Sequence, residues 1–305
     1  MFHSINHGIK DIVSNTSGMV PKRPYGNTGI NLSVIGFGGI VVTDTMQAQA
    51  NAIVANAVAR GVNYFDVAPS YGNAQEILGP TLVPYRNDIF LACKTGERYR
   101  DGAEKEFTAS LDILKTDYFD LYQLHAISSV TKDVDAAFSK AGVMPFLMEA
   151  KKQGQIRHLG FSAHSHEAAL AAMDRYDFDS VLLPVNFASY TKNSFGAQVI
   201  ETAKAKEMAV LALKSMARQV WSDGDPLKDR FAKCWYEPLA LPNEIKLALA
   251  FTLSKQVTAL LPPGEASLFQ TALEIITKFK PVTAKEISYL DNMTTPLNPL
   301  FPIAT

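Results

Sequence analysis

Eight short apolar runs, each followed by a helical pattern, constrain the fold of this chain more than any other feature. They span residues 34–37, 63–67, 89–93, 119–124, 158–161, 180–185, 209–213 and 258–261. The runs are apolar on both faces, which is typical of parallel strands covered by helices. Eight such units close more naturally into a barrel than into an open sheet. The sequence therefore predicts an α/β fold, a (β/α)8 TIM barrel.

Helices are predicted after each strand, and a small hairpin is predicted before the first. The helical patterns cover residues 46–60, 74–78, 103–115, 133–153, 167–175, 194–206 and 267–279, with further helices within 226–253. Turn residues at 25–30, between two short extended stretches, are typical of a β-hairpin. No linker-like stretch interrupts the series. We expect residues 1–20 to form a loosely ordered arm and residues 21–305 to form one barrel domain.

Composition excludes several classes of partner. The net charge is −1 and no basic block is present, so nucleic acid is not expected to be a partner. Only two cysteines, Cys93 and Cys234, are present, which favours a reducing compartment. No apolar run resembles a signal peptide or a membrane span. We expect a cytoplasmic protein with no membrane partner.

Titratable or polar side chains follow four successive predicted strands. Asp66, Lys94, His125 and Ser162 come at the ends of the second to fifth strands, and Tyr71 lies in the loop after the second. Each residue alone is commonly a packing, capping or solvated group. Because the carboxyl ends of barrel strands meet at one mouth, all five are expected to converge there. Together they favour a functional site.

The residue types at this mouth suit proton delivery to a carbonyl oxygen. A phenol has a pKa near ~10, and an ammonium such as Lys94 beside Tyr71 would lower it. Asp66 can hold the lysine charged and oriented, and His125 can hydrogen-bond the carbonyl oxygen or relay a proton. Because no side chain donates hydride, a nicotinamide cofactor is also required. The predicted partner is a small-molecule carbonyl substrate, an aldehyde or a ketone.

Two long motifs in the chain resemble the aldo-keto reductase family. The first runs from Gly61 through Asn63, Phe65, Asp66, Ala68, Tyr71 and Gly72 to Gly79, and the second runs from Ser110 through Leu114-Lys115-Thr116-Asp117 to His125. The resemblance implies a (β/α)8 barrel with Asp66, Tyr71, Lys94 and His125 as the catalytic tetrad. It also implies that Tyr71 donates the proton and that NADP or NAD supplies the hydride.

The resemblance carries over less evenly to the cofactor contacts. Ser162 matches the family position that contacts the carboxamide of the nicotinamide. The amide side chain that family members usually carry at the sixth strand is displaced in this sequence, and Asn186 is the nearest candidate for it. The loop Lys214-Ser215-Met216 is similar to the family's pyrophosphate-side loop, and Gly39, Gly264 and Gln270 complete the expected set. Residues 262–270 contain no basic residue and one carboxylate, Glu265, which would repel a 2′-phosphate. Family habit therefore favours NADP, whereas these residues favour NAD or weak binding. Arg218 or Lys214 could compensate for the missing basic group.

Two other functions compete with carbonyl reduction. The altered cofactor contacts suit a cofactor-binding regulatory subunit with little turnover, although the intact tetrad argues against it. His164 and His166 form a His-x-His pair that could serve a metal-dependent hydrolase. No further carboxylate or histidine appears at the end of the eighth strand, so we expect no metal. We expect His164 to line the substrate mouth and His166 to begin a solvated helix, while Phe37, Phe187, Tyr190 and Trp221 could supply an apolar wall.

Overall fold

Twelve strands are present in the computed structural model, which describes residues 18–193 and 195–301. They are β1 (Lys22–Pro24), β2 (Asn31–Ser33), β3 (Phe37–Gly38), β4 (Tyr64–Asp66), β5 (Phe90–Thr95), β6 (Phe119–Ile127), β7 (Ile156–Ala163), β8 (Ser180–Pro184), β9 (Ala209–Leu213), β10 (Ala217–Gln219), β11 (Glu237–Pro238) and β12 (Ala259–Leu261). Strands β3 to β9 and β12 form one eight-stranded parallel sheet in chain order. The predicted strand order is confirmed.

The sheet closes on itself between β12 and the segment just before β3. The Gly36 amide donates to the carbonyl of Leu260 at 2.8 Å, and the Leu260 amide donates to the carbonyl of Val34 at 2.9 Å. Ile35 and Leu260 form the corresponding parallel bridge. The predicted barrel is therefore confirmed.

The predicted N-terminal hairpin is also present, as the antiparallel pair β1–β2. Tyr25 lies in the turn that joins β1 to β2. It is fully buried and packs with the inward-pointing side chains Tyr64, Phe90 and Leu121. The Tyr25 hydroxyl donates to Ser180 Oγ at 2.8 Å. The hairpin thus fills the end of the barrel where the strands begin and leaves the opposite end for a site. Of the expected arm, residues 1–17 lie outside the described residues.

Helices cover the outside of the barrel. They are α1 (Gln47–Ala59), α2 (Ala74–Leu82), α3 (Arg100–Leu114), α4 (Ala136–Phe138), α5 (Val143–Lys152), α6 (His166–Arg175), α7 (Phe187–Asn193), α8 (Ala197–Ala205), α9 (Leu227–Arg230), α10 (Pro242–Ser254), α11 (Ala266–Ile276) and α12 (Ala284–Thr294). The largest apolar cluster lies between these helices and the outward faces of the strands. In the described parts of the chain, no helix combines the length and apolar content needed to cross a bilayer.

Two helix predictions were wrong in detail. The helix expected over residues 133–153 is a π-helical turn at Val130–Asp135, then α4 and α5 as separate pieces. Ser139 and Gly142 are extended, and a side chain at Gly142 would overlap the carbonyl oxygen of Ala137. The helix expected over residues 194–206 begins only at Ala197, because Gly196 adopts a left-handed φ of 88°. The antiparallel β10–β11 pair and α12 were not predicted.

Candidate active site

A buried ion pair forms the base of the site. Asp66 is the last residue of β4 and Lys94 lies in β5, and their side chains are 1% and 0% exposed. Lys94 Nζ donates to Asp66 Oδ1, while Asp66 Oδ2 accepts from the Tyr64 hydroxyl at 3.0 Å. Burial opposes the charge on Lys94, but Asp66 and Tyr71 overcome that effect and raise its pKa. Lys94 is therefore an ammonium at neutral pH.

Tyr71 lies above this pair, in the loop that leads from β4 to α2. Lys94 Nζ is 5.1 Å from the centre of the Tyr71 ring. Burial raises the pKa of Tyr71, and the nearby Lys94 lowers it only in part, so the net direction is upward. The expected effect of Lys94 is present, but it does not outweigh burial. The phenol consequently holds its proton at neutral pH.

His125 faces Tyr71 from the end of β6. The two rings are 5.7 Å apart and nearly perpendicular, and His125 Nδ1 is 3.5 Å from Ser70 Oγ. Burial lowers the pKa of His125 to about 3, helped by Lys94. The imidazole is thus neutral at pH 7 and can hydrogen-bond a ligand without carrying charge.

The backbone around His125 is held by two side chains. Arg98 Nη2 donates to the His125 carbonyl at 2.6 Å. The Ala126 amide donates to Ser162 Oγ at 2.6 Å, where β6 departs from regular pairing and Ala126 has a φ of 54°. Ser162 therefore has a local role in shaping the strand end that presents His125.

A cavity of about 220 Å³ opens at this end of the barrel. Its lining includes all four residues of the expected tetrad, together with Ser162, His164, Lys214 and Gly264. It also includes residues outside the expected set of site residues, namely Gly38, Ile40, Leu182, Leu213, Lys233, Cys234, Trp235, Tyr236, Leu261, Pro262 and Pro263. The strand ends converge on one cavity, as expected.

The remaining expected cofactor residues, Gly39, Asn186, Ser215, Met216 and Gln270, do not line this cavity. Asn186 Oδ1 accepts from the Ser189 amide at 2.9 Å and so holds the first turn of α7. Gln270 is on α11, where its amide donates to Glu274 at 3.0 Å. Gly39, Ser215 and Met216 are buried in the packing next to the mouth.

The two histidines of the His-x-His pair have separate surroundings. His164 lines the cavity, and its Nε2 is 3.3 Å from Lys214 Nζ. His166 begins α6, as expected, and is partly exposed; its Nε2 accepts from the Gly196 amide at 2.8 Å and its ring packs on Phe195. Within residues 18–193 and 195–301, no group of three or more His, Cys, Asp or Glu side chains is placed to hold a metal.

The expected apolar wall is formed by other residues. None of the four aromatic residues proposed for it, Phe37, Phe187, Tyr190 and Trp221, is among the described residues that line the cavity. Phe37 packs between Phe65 and Phe269, and Trp221 donates its indole N–H to the Cys234 carbonyl at 2.8 Å. Trp235 and Tyr236, from the segment just before β11, line the cavity instead.

The donors around the cavity fit the amide and phosphate groups of a nicotinamide dinucleotide. Lys233 supplies a basic group beside Glu265, because the Lys233 amide donates to Glu265 Oε1 at 2.7 Å and its Nζ to the Val41 carbonyl at 3.2 Å. Just after β8 and β9, Asn186 Nδ2 and Ser215 Oγ are buried without a hydrogen-bond partner among the described residues. Buried polar atoms usually have partners, and these two, which do not line the cavity, are left unsatisfied within the described residues.

Comparison with known proteins places these features in one family. The model of the aldo/keto reductase family matches residues 34–233. The oxidoreductase YqkF of Bacillus subtilis is 33% identical over 156 residues, which are 47% of this chain and 48% of that protein, so the match spans about half of that relative. The L-galactose dehydrogenase of Arabidopsis thaliana is 28% identical over 225 residues, covering 68% of this chain and 69% of that enzyme.

Solved structures show the same fold. The aldo-keto reductase AKR11C1 from Bacillus halodurans in its holo form superposes with a TM-score of 0.71 at 22% identity, covering 92% of this chain and 98% of that one. An aldo-keto reductase from Pseudomonas aeruginosa gives a TM-score of 0.67 at 23% identity, covering 90% of this chain and 99% of that one. At these identities the likeness concerns the fold alone.

Proposed function

Because the chain belongs to the aldo/keto reductase family, we propose that it is an NAD(P)-dependent oxidoreductase that reduces an aldehyde or ketone to an alcohol. The observation that carries the proposal is the group formed by the buried Asp66–Lys94 pair, the protonated Tyr71 and the neutral His125 around one cavity. A bound reduced nicotinamide supplies the hydride. Ser162, Lys233 and Gly264 would hold it at the mouth.

Tyr71 is the proton donor in this proposal. When the carbonyl carbon gains hydride, its oxygen becomes an alkoxide, which is far more basic than a phenolate, so a phenol with a raised pKa still transfers its proton. Lys94 stabilises the phenolate that remains, and Asp66 keeps Lys94 charged. His125 hydrogen-bonds the carbonyl oxygen and orients it towards Tyr71.

The test is reduction of a panel of aldehydes, ketones and sugars, followed by oxidation of NADPH or NADH. A sugar alcohol and L-galactose are included in the reverse direction. Loss of a positioned general acid costs about 100-fold to 10,000-fold in rate, so Tyr71→Phe should lower kcat by at least about 100-fold. Tyr289→Phe is the matched control, because Tyr289 is 52% exposed on α12, away from the cavity.

Equal kcat values in the wild type and Tyr71→Phe would show that Tyr71 is not the acid. A regulatory subunit would bind cofactor tightly, as measured by protein fluorescence, yet turn over no carbonyl in the panel. That alternative is motivated by Asn186, which caps α7 instead of lining the cavity. The same fluorescence titration with NADPH and NADH determines the cofactor preference.

A further inference from the structure

Lys214 is a buried lysine at the cavity with no acidic partner among residues 18–193 and 195–301. It directly follows β9 in a left-handed conformation, with a φ of 62°, and is only 9% exposed. Its Nζ is 3.3 Å from His164 Nε2 and lies 5.3 Å and 5.2 Å from the ring centres of Trp235 and Phe301. Lysine rarely adopts such a backbone conformation, so the surrounding structure holds it there.

The charges around the cavity do not balance. Its described lining contains three lysines, Lys94, Lys214 and Lys233, and a single carboxylate, Asp66. Asp66 is already engaged by Lys94 and Tyr64. Burial lowers the pKa of Lys214 to about 7, which reflects the cost of an ammonium without a counter-charge. An anionic ligand would supply the missing charge.

Lys214 and Lys233, the two cavity lysines that pair with no carboxylate in the described part of the chain, lie on different sides of the cavity. Lys233 contacts the Val41 carbonyl and, through its own amide, Glu265, on the side of the mouth formed by the loop after β12. Lys214 contacts His164, whose amide donates to the Ile127 carbonyl at 2.9 Å at the end of β6, the strand that carries His125. Lys214 is therefore on the side where the carbonyl would be protonated.

We propose that Lys214 binds a carboxylate of the substrate, so that the preferred substrates are oxo acids with the carboxylate a few bonds from the reacting carbonyl. This inference rests on the proposed carbonyl reductase function. His164 is a positioning residue: its Nε2 accepts one of the three ammonium hydrogens and leaves the others for the ligand. The flanking rings of Trp235 and Phe301 exclude water, which strengthens the charge-assisted hydrogen bond.

The experiment compares matched acid and ester substrates. The pairs are 4-formylbenzoate with methyl 4-formylbenzoate, and 4-oxobutanoate with methyl 4-oxobutanoate, each assayed for kcat and KM. The wild type should favour the acid in at least one pair. A hydrogen bond to a charged group contributes about 10-fold to 100-fold in affinity, so Lys214→Met should lower the acid-to-ester ratio of kcat/KM by about 30-fold, mainly through KM for the acid.

Lys228→Met is the matched control, since Lys228 is exposed on α9 and does not line the cavity; it should keep the wild-type ratio. Lys214→Met should also melt at or above the wild-type temperature, because it removes an uncompensated buried charge. If Lys214→Met does not fold, Lys214→Gln, which retains a polar head without the charge, replaces it in the same assay.

The outcomes separate this inference from the proposed function. An acid-to-ester ratio near one in both pairs, or an equal ratio in the wild type and Lys214→Met, overturns the carboxylate site while leaving carbonyl reduction intact. A weaker affinity for NADPH in Lys214→Met with an unchanged ratio assigns Lys214 to the cofactor and also overturns it. If neither acids nor esters are turned over by the wild type, carbonyl reduction itself fails.

Discussion

The Asp66–Lys94 pair allows a direct test of how much a buried counter-charge contributes to the stability of this barrel. Replacement of Asp66 by Asn removes the carboxylate charge with little change in shape. The Tyr64 hydroxyl can still donate to the remaining amide oxygen, as it donates to Asp66 Oδ2 now. The perturbation therefore removes the counter-charge to Lys94 together with the hydrogen bond that Lys94 donates, because the amide NH2 then faces the ammonium.

The expected cost follows from burial. Lys94 is 0% exposed, so its ammonium cannot be rehydrated when the carboxylate charge is lost. Breaking a buried pair by removing one partner costs about 3–5 kcal/mol. For a chain of 305 residues, about 4 kcal/mol corresponds to a fall in Tm of roughly 6 °C. Lys94 can escape part of the cost by losing its proton, so the deficit should shrink as the pH rises towards the pKa of unfolded lysine.

The assay is a double-mutant cycle in urea at pH 7, with unfolding followed by circular dichroism. The free energy of unfolding is compared between the wild type, Asp66→Asn, Lys94→Met and the double variant. The comparison holds where the four proteins unfold with the same m-value. The double variant leaves no uncompensated ammonium and should recover to within about 2 kcal/mol of the wild type. Its catalytic activity should stay low, because Tyr71 then lacks the neighbouring ammonium.

Two results would refute the reasoning. A loss below about 1 kcal/mol in Asp66→Asn would mean that the pair is not a charged pair in the folded protein. A double variant as unstable as Asp66→Asn would mean that the cost comes from lost packing or hydrogen bonding. Both results can be interpreted without knowing the catalytic activity of the variants, because the measured quantity is the free energy of unfolding.

Two further predictions concern the pH profile and one packing contact. In Lys214→Met, which removes a cavity lysine with a pKa of about 7, kcat/KM for reduction of a neutral ester should change little between pH 5 and 9. The reason is that His125 has a pKa of about 3 and the pKa values of Tyr71 and Lys94 are raised. An inflection near pH 6.5 that disappears when His125→Gln is added would contradict this. Gly79→Ala should destabilise the protein by about 1–3 kcal/mol, because the added Cβ would overlap a carbonyl oxygen of α3, whereas Gly96→Ala, where nothing lies within 4 Å, should change the Tm little. Comparable melting of both alanine variants would show that α2 and α3 can separate at no cost.

The barrel and the convergence of the tetrad were predictable because both depend on local pattern. Short runs that are apolar on both faces identify parallel strands, and residues at strand ends share one face of the barrel. Asp66, Lys94 and His125 could thus be placed without knowledge of long-range contacts. The position of Tyr71 at the mouth could be predicted because Tyr71 lies only a few residues beyond the end of β4.

The rest of the cavity could not be predicted because it is built from segments without periodicity. Trp235 and Tyr236 reach the mouth through the β10–β11 pair, whose strands have only three and two residues. Strands this short leave no alternating pattern to detect. Lys233 lies in the same stretch, so the basic group beside Glu265 was missed, and the argument against a bound phosphate was incomplete. Likewise, nothing in the local sequence indicates that His166 accepts a hydrogen bond from a distant glycine.

Lys94 and Lys214 show how one barrel mouth can use the same side chain in opposite ways. Asp66 compensates the charge of Lys94, so its ammonium is present whether or not a ligand is bound. Lys214 has a neutral imidazole and two aromatic rings around it, and its pKa falls to about 7. Its ammonium is therefore only partly populated at pH 7 and is favoured when an anion arrives. A neutral carbonyl compound would leave that charge uncompensated, whereas an oxo acid would supply the counter-charge, so the destabilising lysine is the element expected to select the substrate.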